Sequence, residues 1–124
     1  RRLYGNLEEF FEIGFVANYC PLVMFSEEGT NLTPEDLLKA DRVPLFEACD
    51  PYIESLIEFY DPDVLVGIGR FAQRRLAAVR GLDQEEVAYL PHPSPASPIA
   101  TRDGGDYWRN LVREELEELN LLPA

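Results

Sequence analysis

Four prolines stand within eight residues, at 91, 93, 95 and 98, and they follow directly on the apolar run Val87-Ala88-Tyr89-Leu90. Each proline fixes its own φ at about −65° and pushes the residue before it towards extended conformations. A strand that runs into such a segment ends in a stiff, projecting loop. His92, the one histidine of the chain, stands at the junction. In an open α/β sheet, ligands bind outside the carboxyl ends of the strands, which is where this reading puts His92. Taken alone, a surface histidine on a loop is an incidental feature, so the rest of the chain has to decide.

The length of 124 residues suits one domain spanning 1–124, and 46% hydrophobic content gives it a core to bury. No apolar run approaches the roughly 18 residues of a membrane span, and nothing reads as a signal peptide, so an intracellular protein is expected. Cys20 and Cys49 belong to no CxxC pair. They read as reduced thiols, and neither a zinc site nor an iron–sulfur cluster can be built from them. One histidine also excludes a multi-histidine metal site, so no metal is expected. The net charge of −12 argues, by itself, against a polyanion as partner.

Breakers divide the chain into alternating elements. Residues 6–12 read as a short amphipathic helix with Leu7, Phe10 and Phe11 on one side. Phe15 to Tyr19 reads as a strand ended by Cys20-Pro21, which sets Asn18 and Tyr19 at its carboxyl end. Residues 21–32 carry no clear period. Thr33-Pro34-Glu35-Asp36 has the form of a helix start, and Asp50-Pro51 that of a second, opening a helix with Ile53, Leu56, Ile57 and Tyr60 on its core face. Asp61-Pro62 stops it. Val64 to Gly69 reads as a buried strand, 70–80 as a helix closed by Gly81, and Glu86 to Leu90 as a third strand. Gly104-Gly105 precedes a terminal helix carrying Trp108, Leu111, Val112 and Leu119 inward. Strand and helix in alternation imply an α/β fold, a three-layer α/β/α arrangement around a short parallel sheet. About three strands are too few for a sheet covered on both faces, so at least one further strand is expected upstream. The first residue is Arg1, which fits a piece of a longer protein.

Gly67-Ile68-Gly69-Arg70-Phe71-Ala72 follows a strand and matches the dinucleotide pattern G-x-G-x-x-A. The acid required about 20 residues on, at the end of the next strand, is missing. Glu85 and Glu86 precede that strand, and His92 follows it. A tight turn in which glycine permits close packing explains the same residues. The turn also opens a helix whose N–H groups attract anions. From Val64 to Leu82 there are four arginines, Arg70, Arg74, Arg75 and Arg80, and no acid. The negative charge is therefore segregated elsewhere, and the total does not exclude a phosphate backbone. His92 belongs to no nucleophile pair and there is no G-x-S-x-G elbow. It can donate a hydrogen bond to charge developing on a leaving group. Asn18, at the end of a different strand, offers a carboxamide able to pair with a nucleobase edge.

Three stretches together resemble one family. Asn18-Tyr19-Cys20-Pro21-Leu22, Val66-Gly67-Ile68-Gly69-Arg70-Phe71-Ala72 and His92-Pro93-Ser94-Pro95 occur in this order and at about this spacing in the single-strand-selective monofunctional uracil-DNA glycosylases. Asn31-Leu32-Thr33-Pro34 and Leu119-Asn120-Leu121-Leu122-Pro123 are similar as well, and the likeness runs from about Phe15 to Pro123. The resemblance implies base-excision DNA repair by hydrolysis of the bond between a uracil-type base and deoxyribose, after the base is flipped from the stack. It implies that His92 donates to the departing base, that Asn18 reads the base edge with Tyr19 beside it, and that Pro93, Ser94, Pro95, Ala96 and Ser97 enter the DNA as a wedge. Gly67, Gly69, Arg70 and Arg74 would contact the DNA backbone. No cofactor is implied, and the expected form is a monomer acting on uracil-containing DNA, with no membrane partner.

Two departures stand out. The family wedge carries an arginine and then an asparagine after the second proline of H-P-S-P, where this chain has Ala96 and Ser97. The family's water-positioning motif, G-M-N-P-G, is absent, since none of the five asparagines lies in an Asn-Pro-Gly. The chain thus looks like a carboxyl-terminal part holding the leaving-group half of a site. A non-catalytic DNA- or partner-binding module of the same fold is the alternative, and a dinucleotide-binding domain the third reading.

Overall fold

The structure, a computed structural model, describes residues 3–123. In chain order its elements are α1 (Leu7–Ile13), β1 (Met24–Phe25), β2 (Asn31–Leu32), α2 (Lys39–Tyr60), β3 (Val66–Ile68), α3 (Arg70–Arg80), β4 (Ala88–Leu90), α4 (Pro98–Thr101) and α5 (Asp106–Glu118). The α/β class expected from the sequence is present. The strand count differs: the described residues form two sheets of two strands each, β1 with β2 and β3 with β4. No described helix is long and apolar enough to cross a membrane. Contacts group the described residues into two units, one of 3–17, 68–70 and 89–123, the other of 18–67 and 71–88.

In the first unit, Asn6 caps α1 by accepting the Glu9 N–H at 2.9 Å, and the Glu9 carboxylate accepts the Gly5 N–H at 2.8 Å. Reciprocal bonds of this kind satisfy donors that a helix start otherwise leaves open. The apolar side of α1 is only partly covered: Phe10 is half-buried against the Tyr4 ring, while Leu7 and Phe11 are exposed. Tyr4 ties this segment to the far end of the chain by donating its hydroxyl to the Leu121 carbonyl at 2.6 Å. Helix α5 buries Val112 and ends where Asn120 turns to φ 56°. There the Leu121 N–H returns to the Leu116 carbonyl and the Asn120 N–H to Glu117, which closes the last turn.

In the second unit, the irregular segment expected over 21–32 contains the antiparallel β1–β2 pair, with Met24 opposite Leu32 and Phe25 opposite Asn31. The strand expected over 15–19 is not formed. Residues 14–18 are irregular, neither sheet includes them, and Phe15 and Val16 are 53% and 56% exposed. A run of β-formers supplies propensity, but a strand exists only where a neighbour completes its ladder. Thr33-Pro34-Glu35-Asp36 does cap, yet it caps one turn of 3₁₀ helix over Pro34–Asp36, with the Thr33 N–H and hydroxyl both donating to Asp36. Those bonds favour the ionised carboxylate and hold Asp36 below its ordinary range.

The expected helix start at Asp50-Pro51 is also overturned. Helix α2 is continuous from Lys39 to Tyr60 and contains both Pro44 and Pro51. An interior proline costs about 3 kcal/mol through its missing N–H and ring clash, so packing has to override it. The burial of Cys49 and Ile53 on either side of Pro51, together with the ionic contacts of Asp50, supplies that packing. The helix stops at Asp61, as the Asp-Pro pair implies. Of its expected core face, Ile53 is buried, Leu56 and Ile57 are half-buried, and Tyr60 is 46% exposed.

The strand–helix–strand passage 66–90 follows the sequence reading closely. The pair is parallel, since the Ala88 N–H donates to Leu65 at 3.0 Å and, further along both strands, the Gly69 N–H donates to Leu90 at 2.8 Å. Gln73, 4% exposed, donates its amide to the Val87 and Gln84 carbonyls at 2.8 and 3.1 Å and accepts from the Gln84 side chain. One buried carboxamide thereby locks α3 to the entry of β4. Gly67 allows the approach: a Cβ there would lie 2.4 Å from the Gln73 backbone nitrogen, closer than atoms can pack. Gly67→Ala is therefore expected to lose about 1–3 kcal/mol of stability by overpacking, read as a lower midpoint in urea. An unchanged midpoint would show that this glycine is not needed for packing.

Candidate active site

Both strands of the parallel pair end at a turn that the sequence marks for function. Gly69 leaves β3 with φ +90°, a conformation that side chains rarely adopt, and its N–H is taken by Leu90. A Cβ added at Gly69 would stand 3.5 Å from the Cβ of His92, ordinary van der Waals contact, so the two turns are close neighbours. Arg70 opens α3 with its guanidinium 3.6 Å above the centroid of the Tyr89 ring, a cation–π geometry. Gly69, Arg70, Tyr89 and His92 are thus gathered in the first unit.

The His92 loop is fixed by three kinds of bond. Trp108 donates its indole N–H to the Pro91 carbonyl at 2.7 Å, anchoring the buried residue just before the histidine. Ser94 folds the loop on itself: its hydroxyl accepts the Ala96 N–H at 3.3 Å and its carbonyl the Ser97 N–H at 2.9 Å. The Ser94 N–H donates to Nδ1 of His92 at 3.1 Å. That last bond needs a lone pair on Nδ1, so in the neutral imidazole the ring hydrogen sits on Nε2. His92 is exposed, as are Pro93, Pro95 and Ala96, while Ser94 and Ser97 are half-buried. With the ring in that tautomer, the arrangement presents Nε2–H as a donor on a stiff loop.

The remaining candidates lie in the second unit. Asn18 is exposed, and among the described residues its carboxamide makes no hydrogen bond. Tyr19 beside it is firmly held. Its ring stands edge-on to Phe46 and Phe71, at 5.9 and 5.6 Å between centroids, and its hydroxyl donates to Asp50. Asp50 in turn receives both bonds of a forked contact from Arg75, at 2.9 and 2.8 Å, and the Arg75 guanidinium lies 3.9 Å over the Phe46 ring. Arg75 is therefore committed inside the protein and not presented to a phosphate. Arg74 differs: its contact with Glu35 is 3.4 Å long with both side chains about half exposed, at 49% and 57%. Exposed pairs of that type contribute about 0–1 kcal/mol, so Arg74 can leave Glu35 for another anion at little cost. Gly67 serves the packing of Gln73, and that role accounts for it without a bound phosphate.

Three features escaped the sequence reading. Asp50 reads as a helix cap before proline, and nothing in spacing announces an ion pair with Arg75 or a bond from Tyr19. Gln73 sits among arginines on a helix that looks solvated. Trp108 is recognisable as a core residue, but its N–H partner is 17 positions away. Along α1 lies a groove of about 750 Å³ lined by Leu3, Tyr4, Asn6, Leu7, Glu8 and Phe10, and its apolar walls bring no set of reactive groups together. No group of residues able to hold a metal occurs among the described residues.

Two ionisable groups of the second unit are displaced from their ordinary values. Burial, reinforced by Cys20 and Asp50, pushes the Cys49 thiol up to about 11 from 9.0. Burial and the bond to Asp50 raise Tyr19 above its ordinary 10.0. Both groups keep protons that the unfolded chain releases at lower pH, so stability must fall as pH rises from about 9 upwards. A denaturation midpoint that declines between pH 9 and 11, together with slow alkylation of Cys49 at pH 8, is expected. A flat midpoint across that range would contradict this environment.

No protein-family model matches the chain. Curated relatives do. Over 125 residues, 99% of this chain, it is 40% identical to a rat (Rattus norvegicus) protein named single-strand selective monofunctional uracil-DNA glycosylase. Identity is 36% to the bovine (Bos taurus) and 38% to the mouse (Mus musculus) protein of the same name, each over 99% of this chain. The chain spans 44% of the rat and bovine proteins and 43% of the mouse protein.

Proposed function

The chain belongs to the single-strand selective monofunctional uracil-DNA glycosylase family, and from that premise we propose that the whole protein hydrolyses the N-glycosidic bond of uracil in DNA, with His92 stabilising the departing base. The observation that carries this reading is the bond from the Ser94 N–H to Nδ1 of His92, which leaves Nε2–H as an outward donor. As the bond between N1 of the base and C1′ of the sugar breaks, its electron pair moves onto the base and negative charge builds on O2. A neutral donor held in place meets that charge without reorganising. Water adds to C1′, one of its protons passes by way of solvent to the uracil anion, and an abasic sugar and free uracil result.

Asn18 is assigned to the uracil edge, where a carboxamide can donate to one carbonyl and accept from the ring N–H. Its unengaged side chain is available for that pairing. Arg70 and Arg74 are assigned to the phosphates, with Gly67 and Gly69 at the turn beneath them, and the loop Pro93 to Ser97 to the gap left by the flipped base. Tyr19 is assigned to the pocket beside Asn18. DNA is the partner, the monomer is the working form, and 1–124 forms part of one glycosylase domain inside the cell. Because these 124 residues contain no Asn-Pro-Gly, no residue here is assigned to positioning water. The rival reading is a module of the same fold that binds DNA but excises nothing.

In the whole protein, His92→Leu is expected to slow uracil excision about 10²–10³-fold under single-turnover conditions, with DNA binding kept. Excision at the wild-type rate would defeat the assignment of His92, and binding without excision by the wild type would favour the rival module. At the tip of the loop, Ala96→Arg is expected to slow multiple turnover by retaining the abasic product while leaving single-turnover excision intact. Equal turnover by the two forms would remove the loop from product release.

A further inference from the structure

The Tyr19–Asp50–Arg75 cluster is unusual for where it sits. Tyr19, which immediately follows the exposed Asn18, donates its hydroxyl to Asp50, and Asp50 is held in turn by a forked ion pair from Arg75, whose guanidinium lies over the Phe46 ring. The pair is partly shielded, with side-chain exposures of 18% for Arg75 and 32% for Asp50. Removing one partner of such a pair therefore costs more than removing Arg74 or Glu35. The segment that follows is irregular: residues 20–23 lie in no helix or strand, and Leu22 and Val23 are 65% and 73% exposed. Tyr19 is the point at which this stretch is pinned, by two aromatic neighbours and by Asp50.

We propose that Asp50, oriented by the forked contact from Arg75, is a positioning residue that sets Asn18 for base recognition by gripping the Tyr19 hydroxyl. Asp50 does not touch the base and acts only through residue 19. The inference rests on the reading of Asn18 given under Proposed function. It gives the Tyr19 side chain a different job from hydrogen bonding to substrate, because its hydroxyl hydrogen is already committed to Asp50.

The test uses the whole protein and inhibition by free uracil, which competes for the base pocket without needing DNA. Tyr19→Phe removes only the hydroxyl and keeps the ring stacking and the ion pair. It is expected to weaken uracil inhibition about tenfold, the loss of roughly one hydrogen bond's worth of positioning, and to shift the Asn18 side-chain amide resonances. Asp50→Asn should do the same, and the double variant should be no worse than either single one. If Asp50→Asn does not fold, Tyr19→Phe decides alone. Asn18→Asp separates the two claims. If it leaves uracil inhibition unchanged, the assignment of Asn18 fails. If it abolishes inhibition while Tyr19→Phe keeps wild-type inhibition and unshifted Asn18 resonances, the positioning role is overturned. A lower melting temperature with unchanged uracil inhibition would likewise make the cluster a structural support only.

Discussion

The hydrogen bond from the Gly69 N–H to the Leu90 carbonyl, 2.8 Å long, closes the β3–β4 pair at the end where both strands leave it. Everything proposed for the histidine depends on that closure. It brings the turn that opens α3 into contact with the loop after β4, and it does so through a backbone at φ +90° that glycine adopts without cost. The same bond removes one N–H from the set a helix start would offer an anion. The turn thus lies beside His92 with one fewer N–H to offer an anion, although its form is that of a dinucleotide loop.

From this closure the loop inherits its stiffness in layers. Prolines restrict the backbone, Trp108 fixes the carbonyl before the histidine, and Ser94 ties the residues after it. The ring itself is set by an N–H two residues on. Preorganisation of this type matters for a reaction in which charge appears on a leaving group, because donors already aimed need not be ordered as the charge forms. The proteins this chain resembles carry names that fit such a reaction, and the geometry of the loop supplies a physical reason for it.

How much of this was legible beforehand varied with the kind of signal. The parallel pair, α3, α5 and the loop at 91–98 follow from apolar runs bounded by glycine and proline, which act locally. The strand expected over 15–19 failed because strand formation needs a neighbour that propensity cannot supply. The helix start at Asp50-Pro51 failed for a related reason: the burial of Cys49 and Ile53 overrides the proline, and Asp50 faces Arg75, not a helix end. Of the candidate site, His92 and Asn18 could be named from residue type and position. The bonds made by Trp108, Ser94, Asp50 and Arg75 could not be, since each joins partners that only the folded chain brings together.

The role proposed for His92 turns on which nitrogen of its imidazole carries the hydrogen. With a single histidine in the sequence, the assignment of its ring nitrogens by long-range ¹H–¹⁵N NMR is unambiguous. At a pH where the ring is neutral, the resonances should show Nε2 protonated and Nδ1 bare, with the Ser94 amide shifted by its bond to Nδ1. A ring protonated at Nδ1, or one exchanging freely between the two tautomers, would contradict the claim that this loop presents a prepared donor.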